Sequence, residues 1–241
     1  IIRGEERSLM VDTSNNTERD WSILKGMIDA RGIDCRKLDI FITHEHGDHI
    51  KGLPNLVKKY GIQIYSRPAT FRAMSCYEEL PGECVNPIID RIQLGRVAVR
   101  AFDIPHDAAA PVGYIIQGTS RCVVATDIGN VDDRLQQMLE GAQVLVLEAN
   151  HDEEMLKQGS YPYNLKQRIL GPLGHLSNRR MAQVVAELRR RPQKLILSHL
   201  SESNNRPELA MDTVKSVLDS YGINNMEIYM TAQNHSTSVV F

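Results

Sequence analysis

The sequence predicts an α/β fold. Short runs rich in Val, Ile and Leu recur along the chain, stripes at helical spacing fall between many of them, and no low-complexity segment interrupts the alternation. Helices are therefore expected to cover the outside of sheets. The expected strands are SLMVD (8–12), LDIFIT (38–43), IQIYS (62–66), VAVRAFDI (97–104), VGYIIQ (112–117), RCVVATD (121–127), QVLVLEA (143–149), KLILSH (194–199) and EIYMTA (227–232), all short enough and β-branched enough for buried strands. Between them, Trp21, Leu24 and Ile28 make the first helical stripe, closed by Gly32. Val131, Leu135, Met138 and Leu139 make a second, with Asn130 as N-cap and Gly141 as terminator. Met181, Val184, Val185 and Leu188 follow Ser177 as cap. Ala210, Val214, Val217, Leu218 and Tyr221 end at Gly222. Residues 70–90 read as a helix and a loop. LMVDTS and VVATDIG are both apolar strands ending in Asp, an echo that two similar halves would explain.

The 241 residues fit one domain spanning 1–241, and 42% hydrophobic residues suffice for its core. Aromatics are only 5%, so that core is expected to be aliphatic. The chain opens on IIR without Met, so a preceding N-terminal strand is expected to be missing. A net charge of −2 gives no global positive field, and any nucleic-acid partner must be met by a local patch. Cys35, Cys76, Cys84 and Cys122 form no C-x-x-C pair, which speaks against a cysteine zinc site or redox motif. Apolar runs of about eight residues fall well short of the roughly 20 that cross a bilayer. No basic-then-apolar signal peptide is expected. A cytoplasmic protein without a membrane partner is the expectation.

Residues 43–50 read THEHGDHI and follow the strand LDIFIT. Sites in α/β proteins lie beyond the carboxyl ends of strands. His44 and His46 can project together from extended chain, because side chains there alternate with period two. Gly47 would permit the turn that brings round Asp48 and His49. Imidazole and carboxylate ligands at this density suit a borderline divalent ion such as zinc or manganese. A polar surface loop would explain one histidine, but not H-x-H-x-D-H directly after an apolar strand.

This motif resembles that of the metallo-β-lactamase superfamily, and the resemblance extends over nearly the whole chain. It implies a four-layer αββα sandwich with two metal ions. His106 in DIPHD, Asp127 in ATDIG and His199 in LILSHLS stand where that family's later ligands stand. The resemblance then gives one metal to His44, His46 and His106, the other to Asp48, His49 and His199, with Asp127 bridging and Asp48 also placed at the catalytic step. Asp12 in MVDTS matches the aspartate that braces the histidine loop. Glu148 in EANHD, His175 in GHLSN and the late SHLSESNN resemble ribonuclease Z-like motifs. In combination they look most like the YycJ/WalJ-type proteins, regarded as 5′→3′ exonucleases.

Two metals activate water and clamp a phosphoryl group, but the leaving alkoxide still needs a proton. A histidine outside the metal shell, oriented by a carboxylate, supplies it. His175 and Glu148 are assigned that task. Arg179 and Arg180, just past GHLSN, are the candidate phosphate contacts, whereas Arg189, Arg190 and Arg191 complement a helix C-terminus. His151 and His235 are expected at the surface. The stretch from Asp127 to His199 is too short for the clamp domain of ribonuclease J-like members, so a single-stranded DNA or RNA end is the expected substrate, with oligomerisation left open. The alternatives are another hydrolase on the same core, of glyoxalase II-like thioesterase or lactonase type, and a non-hydrolytic reductase or regulator. The reductase would need a flavin domain, and the regulator lost ligands.

Overall fold

The computed structural model describes residues 1–4, 7–13, 18–231 and 239. The chain divides into two compact units: Ile1–Gly95 with Ala108–Val112, and Arg96–Asp107 with Gly113–Phe241. Two mixed sheets with flanking helices make up the fold.

In the first unit, β1 (Ile2–Arg3), β2 (Ser8–Val11), β3 (Leu38–Phe41), β4 (Gln63–Ser66) and β5 (Val85–Pro87) form a sheet in sequential order. β1 is antiparallel to β2, and the remaining neighbours are parallel. β3 is buried along its whole length, including Asp39, whose carboxylate takes both arms of the Arg7 guanidinium at 2.5 and 2.6 Å. A charge buried at that depth is tolerated only with such a partner. Helices α1 (Glu18–Ala30), α2 (Gly47–Ile50), α3 (Leu53–Tyr60) and α4 (Pro68–Ala73) complete the unit. The core joins Ile28 of α1 and Leu53, Leu56 and Val57 of α3 to Ile40 and Ile64 of the sheet. Gly61 ends α3 with φ +64° and returns its N–H to Val57. The segment read as helix and loop holds α4, two 3₁₀ turns and β5. Strand β6 (Arg91–Leu94) closes this stretch of chain.

The second unit contributes β7 (Val97–Asp103), β8 (Val112–Gln117, all but its first residue), β9 (Arg121–Ala125), β10 (Val144–Glu148), β11 (Lys194–Ser198) and β12 (Glu227–Met230). Its strands run in the order β12-β11-β10-β9-β8-β7. β9 to β12 are mutually parallel where they pair, so their carboxyl ends share one edge. Five helices accompany them: α5 (Asp133–Leu139), α6 (Glu153–Gln158), α7 (Tyr163–Leu170), α8 (Asn178–Glu187) and α9 (Pro207–Ser220). α5 and α8 insert Leu135, Leu139, Met181, Val184 and Val185, and α9 inserts Val214 and Leu218. Each fully buried aliphatic side chain of this kind contributes about 1.5–3 kcal/mol. Phe102 is the one aromatic in that buried cluster, as the composition implied.

Two caps differ from expectation. α5 is capped by Asp132, whose side chain accepts from Leu135 N, and not by Asn130. Its C-cap is Glu140, while Gly141 lies one residue beyond at φ +71°. Ser177 does cap α8, accepting from Arg180 N. Cys76, Cys84 and Cys122 are buried free thiols, and burial pushes that of Cys122 up to about 12, far from any thiolate chemistry at neutral pH. No helix among the described residues is long and apolar enough to cross a membrane.

Candidate metal centre

Three non-glycine residues among those described have φ in the left-handed region: Asp12 at 56°, Asp127 at 59° and His199 at 56°. Each stands just past the carboxyl end of a strand, after β2, β9 and β11. A left-handed non-glycine residue costs on the order of 1–3 kcal/mol, and such residues collect where function fixes them. All three are predicted site residues, and the two aspartates of the sequence echo share this backbone.

In the first unit the side chains of THEHGDH converge. The His44 ring centroid lies 4.5 Å from that of His46 and 4.1 Å from that of His49. Asp48 Oδ2 is 3.3 Å from His49 Nε2. Gly47 does not need a positive φ; the turn is the single helical turn α2, with His46 at its N-cap position. Asp12 ties the loop down. Its carboxylate accepts from Thr43 N and Thr43 Oγ1, both at 2.7 Å, and meets His49 Nδ1 at 2.8 Å. With Nδ1–H donated to Asp12, the Nε2 of His49 is the nitrogen available to a metal. Glu45 takes no such part: its Oε1 accepts from Ala109 N at 2.7 Å.

In the second unit the centre is Glu148, fully buried at the end of β10. One of its oxygens, Oε2, lies 3.0 Å from His175 Nδ1 and 3.0 Å from His199 Nδ1, and accepts from Asp127 N at 2.8 Å. The other, Oε1, accepts from Leu176 N at 2.6 Å. Burial alone would raise the pKa of this carboxyl. The hydrogen bonds and charges of His175 and His199 together outweigh it and hold the group ionised, below the usual carboxylate range. For His175 burial opposes protonation, but Glu148 and then Asp127 outweigh it and raise its pKa. Asp127 Oδ1 lies 3.5 Å from His199 Nε2, 3.8 Å from His175 Nδ1 and 3.9 Å from His106 Nε2. One ligand atom each of Asp127, Glu148, His175 and His199 falls within 4.8 Å of the others. Two glycines allow this closeness. A Cβ on Gly129 would sit 2.3 Å from the Pro172 backbone, and one on Gly174 would sit 2.1 Å from Ile169 O.

Sequence reasoning anticipated the His175–Glu148 pair but not that the same carboxylate holds His199. It also placed His151 at the surface. His151 is 1% exposed, because the chain leaving β10 bridges in parallel to Ser177 and turns its side chain inward. Neither ring nitrogen has a hydrogen-bond partner. Beside it lies a buried amide network: Asn205 Nδ2 donates to Ala149 O and Asn150 O, and Asn150 Nδ2 donates to His199 O at 3.0 Å. His235 lies outside the described residues. Arg179 is exposed, and Arg180 lies 3.5 Å from Glu187 of its own helix. Arg191, past the end of α8, donates to Ala186 O as a terminal cation should.

The donors fit a divalent metal. They are imidazole nitrogens and carboxylate oxygens, with the outward Nδ1 of His49 and of His199 each fixed by a carboxylate. A family model for the Beta-lactamase superfamily domain matches residues 7–200. The chain belongs to the metallo-β-lactamase superfamily. It is 36% identical to Exodeoxyribonuclease YycJ of Bacillus anthracis, over 90% of this chain and 83% of that protein. It is 37% identical to Exodeoxyribonuclease WalJ of Streptococcus pneumoniae (strain D39), over 98% of this chain and 90% of that one. The crystal structure of the metallo-β-lactamase fold protein YhfI from Bacillus subtilis superposes with a TM-score of 0.70 at 18% identity, over 96% of this chain and 87% of that one. With this membership and these His/Asp clusters, the chain is a metal-dependent hydrolase homologous to exodeoxyribonucleases.

Proposed function

We propose that the chain is a dinuclear phosphodiesterase that trims single-stranded DNA from the 5′ end. The observation that carries this is the Glu148 carboxylate, which holds His175 and His199 at 3.0 Å each. One of these histidines is assigned to a metal and the other to a proton, so a single group ties the two functions together. His44, His46 and His106 would hold one ion and Asp48, His49 and His199 the other, with Asp127 shared between them. Zinc or manganese suits these donors. Bound there, the pair supplies Lewis-acid activation of water and of the phosphoryl group.

The chain's own residues do the rest. Asp12 and Glu148 keep His49 and His199 in the tautomer that leaves Nε2 for the metal. Asp127, held by its own amide to Glu148, presents its carboxylate between His106 and His199. His175, its Nδ1 side taken by Glu148, carries a proton whose affinity Glu148 and Asp127 raise, and releases it to the leaving 3′-alkoxide. DNA is preferred over RNA because the relatives bear the name exodeoxyribonuclease. A cytoplasmic setting accords with the free thiols.

The test compares linear and circular single strands, with either end blocked by phosphorothioate. Digestion of linear strands, stopped by a 5′ block, is expected. Equal cleavage of circles would replace the exonuclease by an endonuclease. Turnover of S-lactoylglutathione with no DNA cleavage would assign the site to thioester hydrolysis. Elemental analysis should approach two metal equivalents, falling toward one in Asp48→Ala.

A further inference from the structure

From Glu154 to Glu187 the chain contains no acidic residue between those two, yet carries Lys157, Lys166, Arg168, Arg179 and Arg180. In a protein of net charge −2 this is a local reversal of sign, and His175 lies inside it. The same stretch contains α7, a helix with no buried residue. Its surroundings expose large apolar groups: Tyr163 is 77% exposed, Leu170 46% and Leu173 49%. A helix with no fully buried residue draws little stabilisation from a core.

Yet the stretch is anchored to the catalytic edge. Arg168 Nε binds Asp107 Oδ2 at 2.6 Å, next to His106. His175 N donates to Ile169 O at 2.9 Å, and the Pro172–Gly174 backbone lies against Gly129 of the Asp127 loop. The segment is therefore a fixed platform that ends on the proposed proton donor and leaves an aromatic ring and two leucines in water.

We infer that α7 and the loop to His175 form the track for the unpaired strand, with Tyr163 as a base-stacking residue and Lys166 and Arg179 as phosphate contacts. This rests on the nuclease reading above. A single strand offers both things this surface lacks, negative charge and flat apolar faces. A ring exposed beside cations is how strands are held without sequence preference. Lys166 is placed for it: its Nζ donates to Lys157 O, in the last turn of α6, and not to a carboxylate. Lys157, Arg168 and Arg180 are already committed to Glu154, Asp107 and Glu187, so the track depends on few cations.

Tyr163→Ala should raise KM for a single-stranded oligonucleotide about tenfold, in the range of one lost base stack. Turnover of bis-p-nitrophenyl phosphate, which has no base to stack, should not change. Tyr163→Phe should restore KM. Tyr163→Trp should gain a fluorescence signal quenched by oligothymidylate, read by its difference from the wild type. Lys166→Ala should lower the salt slope of binding by about 0.7, the share of one phosphate on a single strand. If the wild type digests DNA while Tyr163→Ala keeps its KM and Tyr163→Trp is not quenched, the track is wrong and the nuclease stands. A wild-type dimer that Tyr163→Ala dissociates with KM unchanged would give the face to a second copy instead. A wild type that neither binds nor cuts DNA removes both readings.

Discussion

The two units hold their site residues by opposite means. In the first, the candidate ligands come from one loop, His44 to His49, and the brace comes from elsewhere: Asp12, on a left-handed backbone after β2. In the second, the candidate ligands come from three strand exits. Two of them, Asp127 and His199, carry the left-handed backbone themselves, while the brace Glu148 sits at the end of an ordinary strand. A loop that folds on itself needs one outside carboxylate to fix its rotation. Residues far apart in sequence need a common anchor, and each must be bent toward it. Strain therefore falls on the brace in one unit and on the ligands in the other.

The sharpest way to break this comparison is Glu148→Gln. The amide cannot serve two imidazoles and three backbone N–H groups as a carboxylate does, and a buried charge network losing one partner costs about 3–5 kcal/mol. We expect turnover to fall by more than about 10³-fold, since proton delivery and metal retention fail together. The denaturant midpoint should fall as well. If Glu148→Gln costs no more than a change at Asp12, the second unit has no common anchor.

His175→Ala removes only the proposed proton donor. Turnover of DNA should drop about 10²–10⁴-fold with metal content unchanged. Nitrophenyl substrates, whose leaving group needs no proton, should suffer less. Equal loss on both substrates would make His175 a structural residue. Asp12→Asn is milder again. Asn tolerates the left-handed backbone and keeps one acceptor for Thr43, so the loop should stay folded. It loses the charge on His49 Nδ1, which should weaken metal affinity or activity about 10–100-fold. Metal titration of the variant decides; affinity equal to the wild type would show that the loop holds itself.

What could be read from sequence follows the same division. The candidate loop ligands stood out because they are contiguous and follow an apolar strand. Asp127 and His199 were legible as polar ends of the apolar runs β9 and β11. Glu148 as a double anchor was not, because His175 and His199 lie 27 and 51 residues away from it and nothing local records their convergence. Nine strands were visible as apolar runs. β1, β5 and β6 were not: none is buried along its length and β5 ends in Pro. α7 left no stripe because none of its residues is fully buried.

The smallest expected effect concerns His151, which has no counterpart in the first unit. Its burial lowers its pKa below the ordinary histidine value, against the pull of Glu148. The unfolded chain protonates this residue near the model-peptide value of about 6.5, while the folded chain keeps it neutral to lower pH. Above pH ~6.5 both states are neutral, and His151 adds no pH dependence. Below it the unfolded state binds the extra proton, so stability falls as pH falls, until the depressed folded pKa is passed. His151→Gln removes the titrating group while keeping a polar side chain of similar reach. The urea midpoint of this variant should therefore fall less steeply than that of the wild type as pH drops below about 6.5. The two curves should run parallel above it. Parallel curves across the whole range would mean that His151 finds a partner when protonated, and that the amide network around Asn150 and Asn205 opens to admit it.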